Sequence, residues 1–133
     1  MSDAAAYPCP VCGYLVFDEP PGSYAICPIC FWEDDAIQLG FPLMGGGANS
    51  ISLYESQQQF MRDGACEYQF TDHVRRPADS DRRDPHWRPF DSTHDLHLRW
   101  DSEADSERWR ASGPDACLYY WRDDYWLSPK NVG

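Results

Sequence analysis

Cys9-Pro10-Val11-Cys12-Gly13 and Cys27-Pro28-Ile29-Cys30 decide how this chain folds. The two C-x-x-C pairs are separated by the fourteen residues Gly13 to Ile26, a spacing that brings four sulfurs within reach of one ion. The thiolate is the metal-binding form of cysteine, and four of them in a tetrahedron suit Zn²⁺ at about 2.3 Å per Zn–S bond. Cys9, Cys12, Cys27 and Cys30 are therefore the candidate metal ligands. Each pair can fold as a knuckle, a tight turn whose backbone N–H groups point at the sulfurs. Proline after the first cysteine presets φ, and Gly13 after the second can take φ > 0 without penalty. Phe31 stands where the second knuckle would want glycine, so that turn must be shaped differently or strained. Between the pairs, Tyr14–Phe17 and Tyr24–Ile26 flank the Pro20-Pro21-Gly22 turn, which predicts a β-hairpin.

The spacing is that of zinc-ribbon knuckles, one residue short of the usual interval. Cys9-x-x-Cys12-Gly13-Tyr14 also resembles half of a rubredoxin site, and four thiolates serve tetrahedral iron too. The short loop between the pairs favours a ribbon, so zinc is the expected cofactor and iron the alternative. Two disulfides are the other competitor, but six cysteines in 133 residues is too sparse for a disulfide scaffold. Four protein ligands leave no open coordination position, which makes the expected site structural rather than catalytic. A hairpin this small buries little apolar area by itself, so the metal is expected to hold the N-terminal third together.

Charge narrows the partners. The net charge is −11, and residues 1–70 carry nine acids against a single base, Arg62. Residues 71–90 hold four acids and five arginines, and residues 91–133 nine acids and five bases. Such a surface repels nucleic acid and attracts a basic protein. No apolar run is long enough for a membrane span. The start, Met-Ser-Asp-Ala-Ala-Ala, has neither a basic nor an apolar leader region, so a reduced, cytoplasmic compartment is expected.

Beyond the second knuckle, Phe31 and Trp32 are expected to cover the metal, and Glu33, Asp34 and Asp35 to face solvent or a partner. Gly45-Gly46-Gly47 sits in a loop with no Gly-Lys-Ser/Thr after it, so no phosphate cradle is predicted. Ser52 and Glu55 have capping-box spacing, Gly64 marks a stop, and Leu53, Gln57, Phe60 and Met61 make one mostly apolar stripe, which together predict a helix. Cys66 reads as a small buried hydrophobe. The Pro- and Arg-rich residues 71–90 read as a strapping loop whose arginines meet acids of the N-terminal half. Leu96–Trp100 alternates like a strand, Ser102–Ala111 reads as a capped helix ended by Gly113-Pro114, and Cys117–Trp121 with Tyr125–Leu127 as strand, turn, strand. Aromatic anchors and acids near the C-terminus, namely Trp121, Asp123, Asp124, Tyr125 and Trp126, join Glu33, Asp34 and Asp35 as candidate partner contacts. His73, His86, His94 and His97 are the general-base candidates, but neither a nucleophile motif nor H-E-x-x-H accompanies them.

Tyr7-Pro8-Cys9-Pro10-Val11-Cys12-Gly13-Tyr14, Pro21–Asp35, Gly46-Gly47-Ala48-Asn49, Gly64-Ala65-Cys66, Val74–Pro77 and Arg83–Trp87 together resemble the bacterial cysteine-rich CPCC domain over roughly the first 90 residues. Val11 replaces the third residue of the family's C-P-C-C, which removes a spare thiol. The resemblance implies a zinc-binding bacterial domain without an established activity, with immunity or antitoxin components among its members. The expected fold is small α+β: a zinc-ribbon-like hairpin with Cys₄ knuckles packed on a short helix, then a strand-rich aromatic segment. Residues 1–90 form the CPCC-like domain and 91–133 an acidic, aromatic extension packed on it. The expected function is a non-catalytic, metal-stabilised module that binds a basic protein, for example an inhibitor of a toxin nuclease. A rubredoxin-like electron carrier is the alternative, and an uncharacterised enzyme the weaker one.

Overall fold

The two cysteine pairs fold as one turn made twice. In the computed structural model, which describes residues 7–128, Gly13 N–H donates to Cys9 O at 2.7 Å and Phe31 N–H to Cys27 O at 2.8 Å. Cys9 N–H reaches Tyr14 O and Cys27 N–H reaches Trp32 O, each at 2.9 Å. Gly13 has φ +80° and Phe31 φ +75°, so the phenylalanine takes the left-handed conformation that glycine takes in its twin. That is strain of about 1 kcal/mol or more for a residue with a β-carbon. The Phe31 ring packs on Phe70 at 4.7 Å and His73 at 5.3 Å, contacts that offset it.

The predicted hairpin between the pairs does not form as read. Strand β1 (Tyr7–Pro8) pairs antiparallel with β2 (Leu15–Phe17) across the first knuckle, and Ile26 bridges Glu33 across the second. Each knuckle turn thus closes its own ladder. Tyr24 sits at φ +60°, which breaks the run that β-propensity alone suggested.

Asp34 and Asp35 are inside, not at the surface. Asp34 is 2% exposed and accepts from Ser23 Oγ at 2.6 Å and Ser23 N at 3.2 Å; burial raises its pKa against those hydrogen bonds. Asp35 caps helix α1 (Ala36–Gly40), accepting from Ile37 N and Gln38 N with one oxygen and from Ala48 N with the other. Buried Gln38 then ties the glycine loop to that helix. Its amide donates to the carbonyls of Met44, Asn49 and Ile51, and its oxygen accepts from Asn49 N and Nδ2. The loop is a satisfied polar plug, not a free connector.

Helix α2 (Leu53–Asp63) starts and stops as the sequence predicts: Ser52 Oγ accepts from Glu55 N at 3.1 Å, and Gly64 closes the end at φ +85°. Its buried face differs from the predicted stripe. Leu53, Ser56 and Gln57 are buried, whereas Met61 is 53% exposed. Gln57 joins three distant segments. Its Nε2 donates to Pro10 O and Tyr120 Oη at 2.9 Å each, and its oxygen accepts from Phe90 N at 2.8 Å. Replacing it with leucine leaves the buried Phe90 N–H without an acceptor, so Gln57→Leu is expected to cost about 2–3 kcal/mol. A urea midpoint equal to the parent's would contradict this.

Residues 71–90 end the 3₁₀ turn Tyr68–His73 and then run as a strap, as expected. Their arginines pair mainly with nearby acids rather than with the N-terminal half: Arg75 with Asp81 and Arg88 with Asp95. Leu96–Trp100 is not a strand. Helix α3 (Glu103–Ser112) is capped by Ser102, whose Oγ accepts from Asp105 N, and passes into a 3₁₀ turn at Gly113–Asp115. Cys117–Leu127 forms turns rather than two strands: Arg122 N donates to Tyr119 O and Tyr125 N to Arg122 O, and Trp126 N to Cys117 O joins the two ends. Leu118, Tyr119, Tyr120, Trp121, Tyr125 and Leu127 are buried in the same cluster as the knuckles and α2. Among the described residues no helix is long and apolar enough to cross a membrane.

Candidate metal centre

The twin turns bring the four predicted sulfurs together. Cys9 Sγ faces Cys30 Sγ at 3.5 Å and Cys12 Sγ faces Cys27 Sγ at 3.7 Å, and all four lie within 4.8 Å of one another. The short distances run between knuckles, so an ion at the centre links one turn to the other. A tetrahedral Zn–S bond of about 2.3 Å implies sulfurs about 3.8 Å apart. The cage fits that size. A disulfide needs about 2.05 Å, and all six cysteines are free thiols, so the disulfide alternative fails.

Electrostatics also asks for a cation. All four cysteines are 0% exposed, beneath Val11, Ile29 and Trp32, which are equally buried. Burial, more than any other effect, pushes the thiols of Cys9 and Cys30 upward. Burial opposes ionisation of Cys27 too, but hydrogen bonds from Cys12, Cys30 and Cys9 together pull it far down. Backbone N–H groups of Ile29 and Cys30 also point at its sulfur, 3.4 Å away. Burial thus opposes charge on Cys9 and Cys30, and a cation bound among the four sulfurs would supply the charge needed to ionise them. Once bound, an ion held by four sulfurs acts as a cross-link between the knuckles.

A shell of main chain and aromatics locks the cage from outside. Cys66 N–H donates to Cys30 O at 2.7 Å, and Arg75 N–H to Pro28 O at 3.2 Å. The Cys66 thiol is buried, as expected, and burial lifts it to about 12, which makes it inert. Arg83 reaches furthest: its Nε donates to Cys12 O at 2.8 Å, and its guanidinium lies between the rings of Tyr14 (5.0 Å) and Trp87 (4.6 Å). Trp87 Nε1 donates to Pro10 O, and Asp84 N to Gly13 O. Sequence reasoning saw a strap here but not this clamp. The signal available was Arg83-Asp84-Pro85 followed by Trp87, a cation and an indole held in extended backbone.

The predicted partner contacts separate into two groups. Asp34 and Asp35 are used internally, as described above. Trp121 donates from Nε1 to Asp84 Oδ2 at 2.9 Å, and Tyr125 Oη donates to Leu96 O at 2.9 Å; both are buried and belong to the core rather than to a docking face. Burial disfavours the Asp84 carboxylate, but the Trp121 indole, the His86 amide and the Arg122 guanidinium outweigh it and hold its pKa down. Asp123 and Asp124 are exposed, while Glu33 and Trp126 are half-buried. The histidines do not assemble: His94 sits on Asp91, His97 against Asp95 O, and His73 against Phe31 and Phe70. Among the described residues, the four cysteines are the one group with metal-holding geometry.

The family model described as Cysteine-rich CPCC matches residues 7–81. The chain belongs to the cysteine-rich CPCC family. The match takes in all four cage cysteines and Cys66, and stops short of residue 90, leaving the Arg83–Trp87 clamp beyond it. No curated protein matches the chain.

Proposed function

We propose that this CPCC protein is a non-catalytic binding module, stabilised by structural zinc, that docks onto a basic protein and inhibits it as immunity proteins and antitoxins do. The observation carrying this reading is the closure of the metal centre. All four ligands come from the chain and none has exposed surface, so a bound ion has no position at which to activate water or substrate. What remains for interaction is the outside, and that is acidic. Asp18, Glu19, Asp123 and Asp124 are exposed in a chain of net charge −11, a distribution that speeds encounter with a cationic partner and discourages nucleic acid.

The test is binding to basic proteins encoded beside this one, by titration calorimetry at low and high salt. A one-to-one complex that weakens with salt, and weakens again in Asp123→Lys/Asp124→Lys, is the expected result. No binding at micromolar concentration to any such neighbour argues against the reading. Elemental analysis of protein grown with both metals supplied separates zinc from iron.

A further inference from the structure

The short ladder closed by the second knuckle has two outer edges, and only one of them is covered. Asp34 N donates to Ala25 O and Cys27 N to Trp32 O, each at 2.9 Å, so Ile26 and Glu33 face each other as a non-hydrogen-bonded pair. The main-chain groups of both residues therefore point away from the ladder. On the Glu33 side Asn49 stands in for a neighbouring strand: its Oδ1 accepts from Glu33 N and its Nδ2 donates to Glu33 O, each at 2.9 Å. On the Ile26 side neither the N–H nor the carbonyl has a partner among the described residues.

The side chains along that open edge are apolar and outside. Tyr24 is 55% exposed and Ile26 44%. Tyr24 is held at φ +60° with its N–H on Asp34 O at 3.0 Å. Phe31 offsets the same strain by packing its ring on Phe70, whereas the Tyr24 ring has no such contact among the described residues. Exposed edges are ordinarily blunted by lysine, proline or a covering loop, and Tyr24-Ala25-Ile26 carries none of these.

Charge says what lies against it. Cross-strand pairing puts the Glu33 side chain on the same face as Ile26, and Asp18 and Glu19 are exposed in the turn that leads to Tyr24. None of these three acids has an ion pair among the described residues, and no Lys, Arg or His precedes Arg62 in the sequence. Acids elsewhere are matched locally, since Asp63, Asp81, Asp95 and Asp101 each hold an arginine. Open main-chain groups, apolar side chains and unneutralised carboxylates together describe one occupant, an extended segment bearing lysine or arginine.

We infer that the Tyr24–Ile26 edge is where a basic protein docks, by laying an extended, Lys- or Arg-bearing segment against it as an added strand. The inference rests on the basic-partner reading above and gives it a place and a geometry.

The probe is a synthetic peptide alternating arginine and valine, titrated into the isotopically labelled, metal-loaded full chain and followed by amide chemical shifts. The largest shifts are expected at Tyr24–Ile26 and Glu33, with slower hydrogen exchange at the Ile26 amide. The same peptide with glutamate for arginine should not bind. One with proline for valine keeps the charge but loses N–H donors, and should bind at least tenfold more weakly. Tyr24→Asn should weaken binding of the first peptide at least tenfold with a melting temperature at or above the parent's, because asparagine accepts the left-handed backbone. Ile26→Lys, which sets a like charge on the edge, should do the same if the first variant proves unstable. Equal binding of the proline peptide, shifts centred on Asp123 and Asp124, or undiminished binding by both variants would overturn the edge while leaving the basic-partner reading intact. No shift at millimolar peptide would overturn it too, and the titration against whole basic neighbours decides the broader reading separately.

Discussion

Replacing Cys27 with serine is expected to abolish the cooperative unfolding transition of this protein. Structural zinc contributes about 10–16 kcal/mol in small cysteine-ligated folds, whereas an entire domain is stable by only about 5–15 kcal/mol. Losing such an ion from the cage would therefore remove as much free energy as the fold holds. Cys27 is the position chosen because its sulfur faces Cys12 at 3.7 Å and also receives the backbone N–H groups of Ile29 and Cys30 at 3.4 Å. The C-terminal aromatics do not form an independent unit: Tyr120 is tied to α2 through Gln57, and Trp121 to the strap through Asp84. Near-UV circular dichroism should therefore flatten across the tryptophans, not only near the knuckles. Chelation of the parent protein at neutral pH should give the same spectrum. A metal-free variant that melts at the parent temperature would contradict the claim.

Gly13→Ala is expected to cost about 3–4 kcal/mol, an unusually large loss for one methyl group, because two separate penalties meet there. The backbone is at φ +80°, and a β-carbon would fall 2.7 Å from Cγ and Cδ2 of Trp87. The indole cannot step aside cheaply, since it donates to Pro10 O and stacks on Arg83. Phe31 shows what the first penalty amounts to when the second is absent: the same φ is tolerated where the side chain has room and finds Phe70. Making Gly13→Ala in a Trp87→Ala background separates them. The substitution should then cost only about 1 kcal/mol, the conformational part. Equal costs in both backgrounds, measured by denaturant titration, would show that Trp87 is not the obstacle.

What the sequence revealed depended on how local the cause was. The cage was legible because C-x-x-C is a chemical rule with a fixed reach, and α2 and α3 were legible because Ser52, Gly64 and Ser102 act within one helical turn of themselves. The hairpin was misread because Tyr24–Ile26 has strand-like side chains, while the pairing is dictated by main-chain bonds that close each knuckle on itself. Asp34 and Asp35 looked like surface charge. Nothing local announces that Ser23 and Ala48 will supply donors for them. Trp121 and Tyr125 looked like anchors for a partner because their hydrogen-bonding groups lie about 37 and 29 positions away, at Asp84 and Leu96. The Arg83 clamp was invisible for the same reason, being 71 positions from Cys12.

That last separation bears on how the protein is made. The carbonyls of Cys12 and Gly13 receive their partners from Arg83 and Asp84, far downstream. On the ribosome, both cysteine pairs emerge long before the residues that fasten the first turn. A nascent chain from which Trp87 has not yet emerged would lack these fastenings, and its cysteines would be open to ion uptake, exchange or oxidation. An ion captured at that stage would be sealed in only afterwards, so any choice of metal would fall to an intermediate more open than the finished molecule.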